Sequence, residues 1–135
     1  MPRQGHNGWI RTIENLRIVV ASGTSAEEYL TDITPGFQRE LVAAYFVSNG
    51  DGAGASASRL IRIVKGASTV AASRTLVLAD TQTKGLVSAF TLSTTPSDYQ
   101  FFDASTVSID VTAAGTQFTT LTGTIKMVWK QKPQQ

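Results

Sequence analysis

The sequence predicts an all-β domain, an antiparallel sandwich or barrel of about eight strands behind an extended N-terminal arm. Two period-two runs carry that reading. Val107, Ile109 and Val111 alternate with Ser108 and Asp110; beyond Ala113-Ala114-Gly115-Thr116, residues Leu121, Ile125, Met127 and Trp129 alternate with Thr122, Thr124, Lys126 and Lys130. Alternation of this kind sets one strand face in a core and the other in water, and a Gly-containing connection between two such runs reads as an antiparallel pair. Composition agrees: eighteen Thr, twelve Ser and eleven Val among 135 residues is the chemistry of strands and loops, not of helices.

The chain divides into an arm over residues 1–15, a sandwich over residues 16–131 and a tail over residues 132–135. Pro2, Gln4, Gly5, Asn7 and Gly8 give the arm its coil character, and Trp9 with Ile10 supplies an apolar anchor that folds back on its own domain or docks on a neighbour. Leu16 to Ala21 is the first strand. Ser25 and Glu28 have the spacing of a capping box, but the run is short for a helix and Glu28 to Ile33 is read as strand. Thr34-Pro35-Gly36 makes a turn.

Arg39 to Val47 is apolar on both faces, Leu41-Ala43-Tyr45-Val47 and Val42-Ala44-Phe46, which suits a strand in mid-sandwich or beneath a neighbouring subunit. Ser48 to Ser58, small, polar and holding three glycines, reads as a mobile loop. Arg59 to Lys65 is strand, Ser68 to Leu78 is one strand or two short ones, and Ala79 to Gly85 is a turn. Leu86 to Leu92 is strand again, and Pro96 keeps Ser93 to Gln100 a loop.

At this length the chain is one domain. Charged residues are 16%, against roughly 25% in typical soluble domains, so few charges decorate the surface. A Thr/Ser/Ala surface suits burial against other subunits. Twelve Lys and Arg stand against ten Asp and Glu, too balanced for a chain that tracks phosphates, and no nucleic-acid partner is expected. The basic excess lies near the ends: Arg3 and Arg11, then Lys126, Lys130 and Lys132 with no acid after Asp110. Cysteine is absent, so neither disulfides nor thiolate metal sites hold the fold. No apolar run is long enough for a membrane span, and Met1 to Gly23 lacks a signal-peptide core; a soluble chain made in a cytoplasm is expected.

No pattern of catalytic or cofactor chemistry stands out. His6, the one histidine, sits in the arm without a neighbouring acid to orient it. Asn49-Gly50-Asp51-Gly52-Ala53-Gly54 has the look of a calcium loop, yet the fifth and twelfth positions are Ala53 and Leu60, so too few oxygens converge. The same glycines lack the spacing and the following helix of a dinucleotide fingerprint. Glu27, Glu28, Asp32 and Glu40 read as dispersed surface acids unless two face each other across a cleft. Tyr99, Phe101 and Phe102, with Trp9 and Trp129, are either sugar-stacking aromatics or core, and Phe102 and Val107 are expected to begin the buried face of a strand.

Thr34-Pro35-Gly36-Phe37 opening an apolar strand, Asp80-Thr81-Gln82-Thr83-Lys84-Gly85 before a second, and Phe102-Asp103-Ala104-Ser105-Thr106-Val107-Ser108-Ile109 followed by Gly115-Thr116 resemble small all-β virion proteins of tailed bacteriophages, among them capsid decoration (cement) proteins and head-fibre domains. The resemblance runs over roughly Ile33 to Lys130. It implies a jelly-roll-like sandwich on the capsid surface, often a homotrimer, that staples neighbouring subunits of the major capsid protein and carries no enzyme activity or cofactor. The residues themselves supply the contact expectations: Trp9, Ile10 and Arg11 on the shell, Tyr45 at a subunit interface, Lys130 and Lys132 against acidic capsid surface. The alternative is a glycan- or receptor-binding module of a head or tail fibre.

Overall fold

The computed structural model describes residues 10–20, 26–33, 38–54, 57–102, 106–113, 118 and 120–131. These form ten strands: β1 (Ile10–Val20), β2 (Ala26–Ile33), β3 (Arg39–Ser48), β4 (Ser58–Lys65), β5 (Thr69–Val77), β6 (Val87–Ala89), β7 (Thr91–Leu92), β8 (Gln100–Phe101), β9 (Thr106–Ala113) and β10 (Leu121–Gln131). The first sheet runs β1-β10-β3-β6, with β8 also paired to β3; the second runs β2-β9-β4-β5-β7. Every pairing is antiparallel. One buried cluster joins the two sheets, with Ile18, Phe46, Ile125 and Met127 from the first and Ile61, Leu76, Ile109 and Val111 from the second. The domain is therefore an all-β antiparallel sandwich.

The pairs are nested: β1 with β10, β2 with β9, β3 with β6, β4 with β5. That is one long hairpin whose tip is the turn at Gly66 (φ 65°), folded so that successive legs fall in alternate sheets. The expected alternations in β9 and β10 hold. Val107, Ile109 and Val111 are buried, though Ser108, expected in water, is buried too; Leu121, Gly123, Ile125, Met127 and Trp129 face the core while Thr122, Thr124, Lys126, Val128 and Lys130 stay half-exposed.

Elsewhere the structure revises the reading. β1 begins at Ile10, not Leu16, so Ile10–Asn15, expected in the arm, pair with Lys126–Gln131 of β10. Residues 1–9, the tail and the Thr34-Pro35-Gly36 turn lie outside the described residues. The segment after Ser25 is strand β2 and not a helical turn. In β3 the two apolar faces are explained by a register shift against β10: Ala43 opposes Val128 and Leu41 opposes Trp129, which leaves Val42 extra. Arg39 and Leu41 point inward before the bulge, and Ala44, Phe46 and Ser48 after it. Leu86 to Leu92 is not one strand; β6 belongs to the first sheet and β7 to the second, and the chain crosses at buried Phe90, whose N–H donates to the Ala44 carbonyl (2.9 Å).

Gly123 sets how closely β10 and β3 approach. A methyl group there would overlap the Phe46 ring and lie 2.7 Å from the Val47 carbonyl oxygen. Phe46 belongs to the packed core and the Val47 carbonyl to the backbone of a paired strand, so neither has room to withdraw. Gly123→Ala should lower stability by about 1–3 kcal/mol, read from the urea midpoint, and Phe46→Leu in that background should recover part of the loss. An alanine variant as stable as the parent would show that the Phe46 ring is not seated on this glycine.

Candidate functional site

Because β1, β10, β3 and β6 are in register, the residues that point away from the core form rows across one face. Arg11 lies opposite Lys130 and Lys130 opposite Glu40; Ile13 opposes Val128, which opposes Ala43. The next rows read Asn15, Lys126, Tyr45, Ala89 and then Arg17, Thr124, Val47, Val87. This outer face holds four cations, Arg11, Arg17, Lys126 and Lys130, and Glu40 is its one acid among the described residues. Its formal +3 exceeds the +2 of the whole chain, so the remaining residues sum to a net negative charge. Among the cations stand exposed aliphatic side chains, Ile13 at 58%, Val19 at 53% and Val87 at 55% exposed. The outer face of the second sheet differs: Arg62 is paired with Asp110 at 3.1 Å, and its neighbours include Ser73, Thr75 and Ser108.

Three of the expected contact residues, Arg11, Tyr45 and Lys130, thus share one surface. Ile10 opens β1 opposite Gln131, while Trp9 and Lys132 lie outside the described residues. Lys130 already faces Glu40 at 3.6 Å, and Gln100 donates to the same carboxylate at 3.2 Å. Lys126, part of the basic excess noted near the C-terminus, and Arg17, not singled out from sequence, complete the set. The signal that finds them is the β1–β10 register, since separate strands do not reveal which charges share a face.

The aromatic lead resolves mostly into core. Trp129 is 1% exposed, meets Phe101 edge-on with ring centroids 5.3 Å apart, and lies under the Arg39 guanidinium at 4.2 Å. Its indole N–H donates to the Glu14 carboxylate (3.2 Å). A desolvated cation–π contact of this kind is worth about 2 kcal/mol. Phe102, expected at the start of a buried face, is 41% exposed; Val107 is buried as expected.

The calcium-like loop is committed elsewhere, its polar groups bonded to distant residues. Both Asp51 carboxylate oxygens accept from Thr122, from its N–H at 3.1 Å and its hydroxyl at 2.6 Å. Asn49 donates to the same hydroxyl, and Ala53 bridges to Thr120. Gly52 donates its N–H to the Thr81 carbonyl and sits so close to that threonine that a side chain would overlap it. No group of three His, Cys, Asp or Glu positioned for a metal occurs among the described residues. His6, Asp103 and Trp9 lie outside them.

Fold and surface together define the class of this molecule, an all-β antiparallel sandwich with one basic, apolar-studded sheet face. No protein-family model, curated protein or solved structure matches the chain.

The Asp51 arrangement gives a direct check on the loop. Asp51→Ala should destabilise the fold by about 1–3 kcal/mol in chemical denaturation, because two charge-assisted bonds vanish and the Thr122 N–H loses its partner. Calcium added to the parent should leave its midpoint unchanged. A calcium-dependent rise that Asp51→Ala abolishes would instead make this loop a metal site.

Proposed function

We propose that this chain is a non-enzymatic structural protein of a tailed-phage virion, decorating the outer capsid surface as a homotrimer and bridging subunits of the major capsid protein. The observation that carries the reading is the basic outer face of the first sheet, on which Ile13, Val19 and Val87 stand exposed. Exposed Ile13, Val19 and Val87 among the cations fit an interface that uses aliphatic contacts within a polar, charged surround. The nested strand pairing supports the jelly-roll-like sandwich that the resemblance implies. Stabilising a shell requires only modest contacts per copy, because many copies bridging neighbouring subunits act together by avidity and mass action.

The glycan-module alternative has less to build on. Phe101 and Trp129 are inside the core, so a stacking platform would rest on Tyr99 and exposed Phe102.

Solution mass and shell binding test the proposal. Light scattering should return about three times the 14.4 kDa chain mass. Co-sedimentation with capsids lacking the protein should show saturable binding that weakens at least about tenfold in Ile13→Asp/Lys126→Glu. Shell binding unaffected by that double variant would remove the sheet face from the interface; a monomer that ignores shells would remove the virion role.

A further inference from the structure

One end of the basic face is concave, and its chemistry is more specific than the rest. The row Arg17, Thr124, Val47 runs beside the loop carrying Lys84 and Gly85, and between them lies a cleft of about 230 Å³ whose lining also includes Asn49 and Gly123. We propose that this cleft is an anchor site for a carboxylate side chain presented by a partner protein. The proposal rests on the reading of this face as a docking surface and names what its end recognises.

The site is held in shape before any partner arrives. Gly85 donates its N–H to the Ser48 carbonyl at 2.8 Å, and Ser48 donates its own N–H to the Leu86 carbonyl at 2.9 Å, which ties the loop to the end of β3. The Ser48 hydroxyl, buried, donates to the Thr81 carbonyl at 2.8 Å and accepts from the Gly50 N–H at 2.9 Å, fixing both loops together. Gly50 packs against the Lys84 backbone so closely that a side chain there would stand 2.9 Å from the Lys84 nitrogen. Gly123, whose side-chain direction is inward toward Phe46, contributes backbone to the lining.

Charge selects the ligand. Among the described residues, Arg17, Lys84 and Asn49 line the cleft and no acid does. The carboxylate next to it in sequence, Asp51, spends both oxygens on Thr122. An arginine fork with a neighbouring ammonium suits a planar carboxylate. The surroundings favour a protein as its carrier: Val47 lines the cleft, exposed Val87 lies opposite Val47, and Val19 is two residues from Arg17 along β1. Single-stranded nucleic acid binds instead by stacking bases on aromatic rings, and among the described residues Tyr45 is the one aromatic residue on this face.

Titrating ¹⁵N-labelled full-length protein with a capped oligoglutamate peptide should move the amides of Arg17, Asn49, Lys84 and Gly123, and added salt should reduce the effect. A matched oligoglutamine peptide should move none of them. Arg17→Gln and Lys84→Gln should each weaken peptide binding about threefold to tenfold. Arg62→Gln, which removes the same charge from the opposite sheet, should not. Shifts scattered over other surfaces, or binding that survives both cleft variants, would overturn the site. A short DNA strand that displaces the peptide and binds more tightly would overturn the carboxylate assignment in favour of phosphate. The capsid reading fails separately: wild-type protein that takes the peptide but ignores shells loses the virion role and keeps the cleft, and shell binding that persists in the Arg17→Gln/Lys84→Gln double variant does the reverse.

Discussion

Strand β10 is the constraint on which the rest of the structure depends. It is flanked on both sides, by β1 over eleven residue pairs and by β3, and every second side chain from Leu121 to Trp129 enters the core. A strand side chain has two directions only, so the residues that build the core leave Thr122, Thr124, Lys126, Val128 and Lys130 for the opposite surface. A slip of one residue would put Lys126 and Lys130 into the core and Met127 and Trp129 into water. Burying two ammonium groups without partners costs several kcal/mol each, which makes the register close to non-negotiable. The basic face is thus the other half of the same pattern that makes the core.

Several polar side chains of the sandwich are paired in place. Arg39 enters beside Trp129 and finds the indole face, while Glu14 receives the indole N–H. Lys65 closes the β7–β8 connection by donating to the Ser97 and Gln100 carbonyls at 2.8 and 2.9 Å. Arg74 reaches Asp80 with one guanidinium nitrogen 3.1 Å from both carboxylate oxygens, and Asp80 also accepts from the Val77 N–H, which fixes the turn after β5. Loops that look free by composition are therefore joined to the sheets by long-range bonds.

That contrast explains what the sequence could and could not reveal. β9 and β10 were legible because their apolar residues alternate with polar ones, although Ser108 of β9 is buried as well. Ile10–Asn15 was not, because an edge strand tolerates Arg11, Glu14 and Asn15, and such charges look like an arm when no partner is known. β3 misled by its bulge, which shifts the inward face by one residue between Leu41 and Ala44 and makes both faces look apolar. Leu86–Leu92 hid a change of sheet, since a buried Phe90 fits a continuous strand as well as a crossing. The Asn49–Gly54 loop resembled linker because its holdfasts, Thr81 and Thr122, are tens of residues away. For the candidate face, Arg11, Tyr45 and Lys130 were chosen from three separate segments, and only register shows that they are coplanar with Arg17 and Lys126.

That common plane changes how the contacts divide. Arg11 was expected on the shell and Tyr45 at a subunit interface, yet one sheet face presents both, two rows apart. A face of formal +3 placed against its own copy would set cation beside cation around the single Glu40, a juxtaposition that costs free energy at short range. An acidic surface would meet the same cations favourably, with Ile13, Val19 and Val87 supplying the apolar contact between them. The proposed shell contact therefore claims this face as a whole, Tyr45 included. Any contacts between copies would then fall to the other surfaces, where on the second sheet Arg62 and Asp110 are already paired. Separate surfaces for shell and self are what a bridging protein needs, since neither contact can then block the other.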